Sequence, residues 1–125
     1  MLIKTNKREL GFAAEQKAVD FLMKNGYEIV ERNFQYRGGE IDIVTKAPDG
    51  TVCFTEVKSA STENWGDPVF NVTPKKQKQV GKTAEVWLAK KGITDTSCRF
   101  DVVTVKGEKI THYADAFRLV GPAVF

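Results

Sequence analysis

Seven residues, Val52-Cys53-Phe54-Thr55-Glu56-Val57-Lys58, constrain this chain more than any other stretch. The segment reads as a strand. Strand side chains alternate faces, so Val52, Phe54, Glu56 and Lys58 point the same way. That shared face begins apolar and ends in an acid and a base two residues apart. Val52 and Phe54 direct the face toward a core, so the two charged groups extend a buried surface. A buried charge without a partner is costly. A second acid, Asp42, closes the segment Gly39-Glu40-Ile41-Asp42, with thirteen residues between it and Glu56. Pro48-Asp49-Gly50 lies in that gap and is a turn sequence, so residues 39–46 and 51–58 read as a hairpin.

The rest of the chain supplies layers for such a hairpin. Its 125 residues fit one domain, and 42% hydrophobic with 28% charged residues is ordinary for a soluble globular protein. No apolar run approaches the roughly 20 residues of a membrane span, and Met1 to Asn6 offers no signal-peptide core. An intracellular, cytoplasmic protein with two free thiols, Cys53 and Cys98, is the expectation. Residues 6–25 read as an amphipathic helix, with Leu10, Ala14, Ala18, Phe21 and Leu22 at helical spacing, Asn6 and Glu9 as a capping pair, and Gly26 as its stop. Residues 27–34 read as a first strand and 59–72 as a loop. Thr73 caps a second helix with Pro74 at its first position. That helix runs to about Lys91, buries Val80, Ala84, Trp87 and Leu88, and stops at Gly92. Arg99 to Val105 and Lys109 to His112 read as two more strands. Helix, three strands, helix, two strands fits an α/β sandwich with a mixed sheet between helices.

Asp42, Glu56 and Lys58 form the candidate constellation. Two carboxylates with a backbone carbonyl, such as that of Val57, make a normal partial shell for Mg²⁺, which keeps several waters. Lys58 could orient an attacking water or stabilise charge on a phosphate. Two other readings stay open on the residues alone: a solvated hairpin end, and a structural Glu56–Lys58 pair. Glu15 lies at the edge of the first helix's apolar stripe and could reach the end of a central sheet. Lys75, Lys76 and Lys78 crowd the start of the second helix, where the macrodipole disfavours cations. Gln77 falls on the stripe of Val80 and Ala84, where an apolar residue is expected. An acidic cluster or a bound phosphate would explain both, and a solvated basic turn would explain them too. A net charge of +3 mildly favours an anionic partner. Asp101 and His112 read as structural. Trp65 is either a loop anchor or a platform for a base.

These motifs resemble the bacterial YraN-like family of the PD-(D/E)XK nuclease superfamily. The resemblance runs from about Gly11 to Phe117. It rests on Gly11 to Glu15, Gly26-Tyr27, Arg32-Asn33, Gly39-Glu40-Ile41-Asp42, Glu56-Val57-Lys58, Trp65-Gly66, Lys76, Arg99-Phe100-Asp101 and Ala116-Phe117. It implies a restriction-endonuclease-like core similar to that of archaeal Holliday-junction resolvases. By the resemblance, Asp42 and Glu56 hold a Mg²⁺ or Mn²⁺ ion, Lys58 assists hydrolysis, and Glu15 is the acid of the first helix. Lys76 and Gln77 match polar positions at the start of the second helix. The family often carries a basic residue where this chain has Ala60, and the apolar tail Leu119 to Phe125 extends past the usual family end. That tail could cover a sheet edge or meet a second subunit in a homodimer. The expected activity is metal-assisted hydrolysis of DNA. The competing expectation is a nucleic-acid-binding or scaffold module that keeps the fold but does not cut.

Overall fold

The computed structural model describes residues 7–60 and 72–118. The expected Asn6 cap, the loop with Trp65, and the apolar tail lie outside them. Seven elements follow in the expected order: α1 Lys7–Lys24, β1 Glu28–Tyr36, β2 Gly39–Lys46, β3 Val52–Ala60, α2 Pro74–Lys90, β4 Cys98–Lys106 and β5 Lys109–Phe117. The five strands form one sheet in the order β1-β2-β3-β4-β5. Only the β3–β4 pair is parallel, because α2 carries the chain back across the sheet between them. This is the mixed α/β sandwich that the element order predicts.

Each helix covers one face. Val80, Ala84, Trp87 and Leu88 of α2 pack with Val44, Phe54 and Phe100. The Phe54 and Trp87 rings meet edge to face with centroids 5.7 Å apart. Ala14, Ala18, Val19 and Leu22 of α1 pack with Ile43, Val103 and Val105 on the opposite face. Burying each large apolar side chain stabilises the fold by about 1.5–3 kcal/mol. The expected caps of α2 form. The Thr73 hydroxyl accepts the Lys76 N–H at 3.2 Å, with Pro74 opening α2. The Ile93 N–H reaches back to the Leu88 carbonyl across Gly92. The Pro48-Asp49-Gly50 turn closes through Ala47 N–H to the Thr51 carbonyl at 2.8 Å. Among the described residues, no helix is long and apolar enough to cross a membrane.

Three strands outrun their expected ends by two residues or more, and β3 does so by running to Ala60, into the expected 59–72 loop, in register with Val105 and Lys106 of β4. β1 continues to Tyr36, where Arg37 and Gly38, both at positive φ (46° and 81°), turn the chain directly into β2. Positive φ at both central residues is the geometry of a two-residue hairpin turn. β5 continues past His112 to Phe117 through an irregularity at Asp115, whose φ is 55°. Buried Asp101 holds that irregularity in place. Its carboxylate accepts the Asp115 N–H at 2.9 Å and the Arg99 Nε–H at 3.0 Å, and His112 Nε2 lies 2.8 Å away. The structural expectation for Asp101 and His112 therefore holds. Burial pushes the Asp101 carboxyl up, but the His112, Arg99 and Asp115 hydrogen bonds outweigh it and leave the group below its usual range.

Candidate active site

The site begins where the sheet splits. β2 and β3 pair from Lys46–Val52 only as far as Ile43–Thr55. Beyond that rung β2 stays with β1 out to Gly39, and β3 stays with β4 out to Ala60. The sheet thus forks into two prongs, and Asp42 and Glu56 are the first residues past the last shared rung. At the crotch of the fork a carboxylate stands in for the missing backbone partner: Asp42 Oδ2 accepts the Val57 N–H at 2.8 Å.

Glu56 faces α2, as the Val52–Phe54 alternation requires. Its Oε1 lies 3.1 Å from Lys58 Nζ and 3.7 Å from Lys76 Nζ. The Glu56 side chain is only 13% exposed, so these are shielded ion pairs rather than surface ones. Lys76 is thereby tied to an acid, which accounts for one cation at an unfavourable helix start. Lys75 and Lys78 are exposed. Gln77 turns back, and its Nε2–H donates to the Val72 carbonyl at 2.9 Å. An amide on the apolar stripe thus secures the entry to α2. The Val57 side chain packs toward α1, and its N–H is committed to Asp42.

Glu15 approaches from the α1 face. Its Oε1 accepts from Arg32 Nε at 3.2 Å and from Asn33 Nδ2 at 3.0 Å. Arg32-Asn33 stands among the motifs of the family resemblance with no role attached to either residue. Here they orient the acid of the first helix. Asn33 sits at φ 55°, a left-handed conformation that asparagine tolerates better than most residues. The strand signal hides it, since nothing in a β-like run announces a left-handed residue.

The carboxylates act on one another. Burial is the largest influence on Asp42 and raises its carboxyl from 3.8 to about 6. The Val57 N–H pulls the other way, while the charges of Glu56, Glu40 and Glu15 add to the rise. The fork therefore concentrates negative charge that the folded protein tolerates poorly.

A divalent cation suits these donors. Glu56 Oε2 is buried and, among the described residues, has no hydrogen-bond partner. An orphaned carboxylate oxygen and a second, half-buried carboxylate across the fork offer hard oxygen donors. No three His, Cys, Asp or Glu side chains among the described residues form an all-side-chain cage. Mg²⁺ requires only one or two carboxylates. Asp42 and Glu56 could supply them.

Fold and site together define an α/β protein whose mixed five-stranded sheet forks over two acids and two lysines. Residues 14–105 match the model of the uncharacterised protein family UPF0102, and the chain belongs to that family. A UPF0102 protein of Trichlorobacter lovleyi is 41% identical over 94% of this chain and 97% of its own length. One from Acetivibrio thermocellus is 46% identical over 85% of this chain and 82% of its own. The motif resemblance is thus borne out at the level of the family. The solved structure titled "Crystal structure of SSO0001" overlaps 89% of this chain and 52% of that one, with 13% identity and a TM-score of 0.43.

Proposed function

We propose that this protein is a metal-dependent endonuclease of the PD-(D/E)XK type that hydrolyses DNA phosphodiester bonds with Mg²⁺ or Mn²⁺. The observation that carries the proposal is the fork, where half-buried Asp42 and half-buried Glu56 follow the last shared rung and feel each other's charge, and where Glu56 Oε2 has no hydrogen-bond partner among the described residues. Asp42 and Glu56 would hold the ion, with the Val57 carbonyl as a further oxygen donor. When bound, the ion supplies acidification of water and neutralisation of charge at the phosphate. Lys58 stands at the Glu56 carboxylate, where an ammonium can orient a nucleophile or stabilise developing negative charge. Glu15, fixed by Arg32 and Asn33, adds negative charge near the same point from the opposite face. Lys75, Lys76 and Lys78 would meet the phosphate backbone, and Gln77 orders the turn that presents them.

One observation favours a second reading, a module that binds without cutting. Glu56 Oε1 already has Lys58 and Lys76 as partners, so half of the carboxylate is satisfied without a metal. Calorimetry with Mn²⁺ separates the two. A nuclease site binds the ion in the wild type and loses it in Glu56→Gln. Equal Mn²⁺ affinity in both proteins contradicts the proposal.

A further inference from the structure

A cleft of about 730 Å³ lies on the α2 face of the first prong, beyond the carboxylates. Tyr36 and Arg37 line it from the β1–β2 turn, and Gln79, Lys82, Val86 and Ala89 line it from α2. Its volume lies in the range of small-ligand pockets. Its chemistry is mixed: an aromatic ring and two small aliphatic side chains on the walls, two cations and an amide around them. Glu85 adds a carboxylate acceptor. An apolar wall with an aromatic ring, ringed by cations, suits a flat heteroaromatic group attached to a phosphate.

The cleft is held in shape by direct contacts. Gln79 Nε2 donates to the Gly38 carbonyl at 2.8 Å, which seats the turn on α2. Gly39 lies so close to α2 that a Cβ there would collide with the Thr83 hydroxyl. Arg37 occupies the first central position of the turn at φ 46°, a conformation that Asn or Gly adopts more cheaply. Its guanidinium lies 5.3 Å from the centre of the Tyr36 ring, and Lys90 Nζ lies 5.4 Å from the same centre. Both cations lie over the ring, so a base stacking there takes the place of one of them, and the displaced cation is then free to pair with a phosphate.

Position ties the cleft to the fork. Gly39 is three residues from Asp42 along β2, about 10 Å at strand rise. Lys82 is six residues from Lys76 along α2, about 9 Å at helical rise. Both intervals are about three nucleotide steps of 3.4 Å. A nucleic-acid strand whose phosphate sits at the fork passes the cleft within a few nucleotides.

We infer that this cleft binds an unpaired nucleotide of the DNA substrate, its base stacked on Tyr36 and its phosphate paired with Arg37 and Lys82. The inference rests on the nuclease reading for its substrate class and selects DNA with single-stranded character over continuous duplex. Stacking on an aromatic side chain is sequence-tolerant, so the preference is for structure rather than sequence.

The test is anisotropy with fluorescent DNA in EDTA, so that cleavage plays no part. The probes are a blunt duplex and the same duplex with a single-stranded tail. The wild type should bind the tailed probe about tenfold more tightly. Tyr36→Ala should lose that advantage and keep its affinity for the blunt duplex. Arg37→Asn suits the turn conformation, so it should melt no earlier than the wild type yet weaken tailed binding severalfold. Equal wild-type affinity for the two probes, no binding to either, or a Tyr36→Ala and an Arg37→Asn protein that are folded and still prefer the tail would each overturn the inference. Tail-selective binding that depends on Tyr36 and Arg37, in a protein that never cuts DNA, would uphold the cleft and reject the nuclease. Metal-dependent cutting with no tail preference would do the reverse.

Discussion

Asp42→Asn isolates the tension built into the fork. The substitution removes one negative charge and keeps an oxygen able to accept the Val57 N–H. Burial, partly countered by that N–H and reinforced by Glu56, Glu40 and Glu15, raises the Asp42 carboxyl from 3.8 to about 6. The folded, metal-free protein therefore holds this proton more tightly than the unfolded chain does. Stability falls as pH rises through the window from 3.8 to about 6, and the full cost stands above it. A rise of that size corresponds to about 3 kcal/mol. An asparagine carries no such cost. In EDTA at about pH 8, Asp42→Asn should stabilise the protein by as much as about 3 kcal/mol, on the order of 10 °C in Tm for this length. At about pH 4 the gain should shrink below about 1 kcal/mol, because the wild-type carboxyl is then protonated. Urea melts at both pH values give the two differences. Added Mn²⁺ should raise the wild-type Tm in proportion to the logarithm of its concentration and leave the variant unmoved. A variant less stable than the wild type at pH 8, or a gain independent of pH, refutes the reasoning.

Three further outcomes follow from named contacts. Lys58→Ala should abolish cutting while costing about 1 kcal/mol or less in stability, because Lys76 remains beside Glu56; cleavage rates and thermal melts on one preparation decide it, and wild-type cutting by an early-melting mutant would reduce Lys58 to a structural partner. Lys76→Ala should weaken DNA binding across sequences and lower the salt slope by about 0.9, read from anisotropy over a salt series. Asp101→Asn should cost about 3–5 kcal/mol in urea melts, since Arg99 and the Asp115 N–H lose a buried anion. Because folding depresses the Asp101 carboxyl, its contribution is present above the ordinary carboxylate range and is lost as pH falls through the folded value, so the mutational cost should fade in acid.

How much was legible depended on whether a feature is local. Thr73-Pro74 and Gly92 bound α2 through their own backbone preferences, and the helix appears where they place it. The Val52–Lys58 alternation put Glu56 and Lys58 at the end of a core-facing strand surface, which is where they lie. The basic start of α2 left an acidic cluster, a bound phosphate and a solvated turn open; Lys76 meets Glu56, while Lys75 and Lys78 are exposed. Other features come from tertiary contact. The left-handed Asn33 and its bond to Glu15 need β1 and α1 brought together, and a run reading as a strand conceals both. The extension of β5 through Asp115 depends on Asp101, fourteen residues away and buried. Loss of β2–β3 pairing beyond Ile43 could not be read from the hairpin, because the pattern that predicts pairing does not reveal where two strands leave each other. Arg37 in a turn that prefers Asn or Gly was likewise invisible, although with Lys82 it brings positive charge to the cleft.

The most direct test is a cleavage assay on one panel of linear, nicked, tailed and branched DNAs with Mg²⁺, Mn²⁺ or EDTA. A nuclease built on Asp42, Glu56 and Lys58 should break at least one of these substrates with either ion, stop in EDTA, and stop when Glu56 or Lys58 is replaced by Ala in a protein that still folds. Intact DNA across the whole panel with Mn²⁺ bound, or cutting that persists in EDTA, would contradict it.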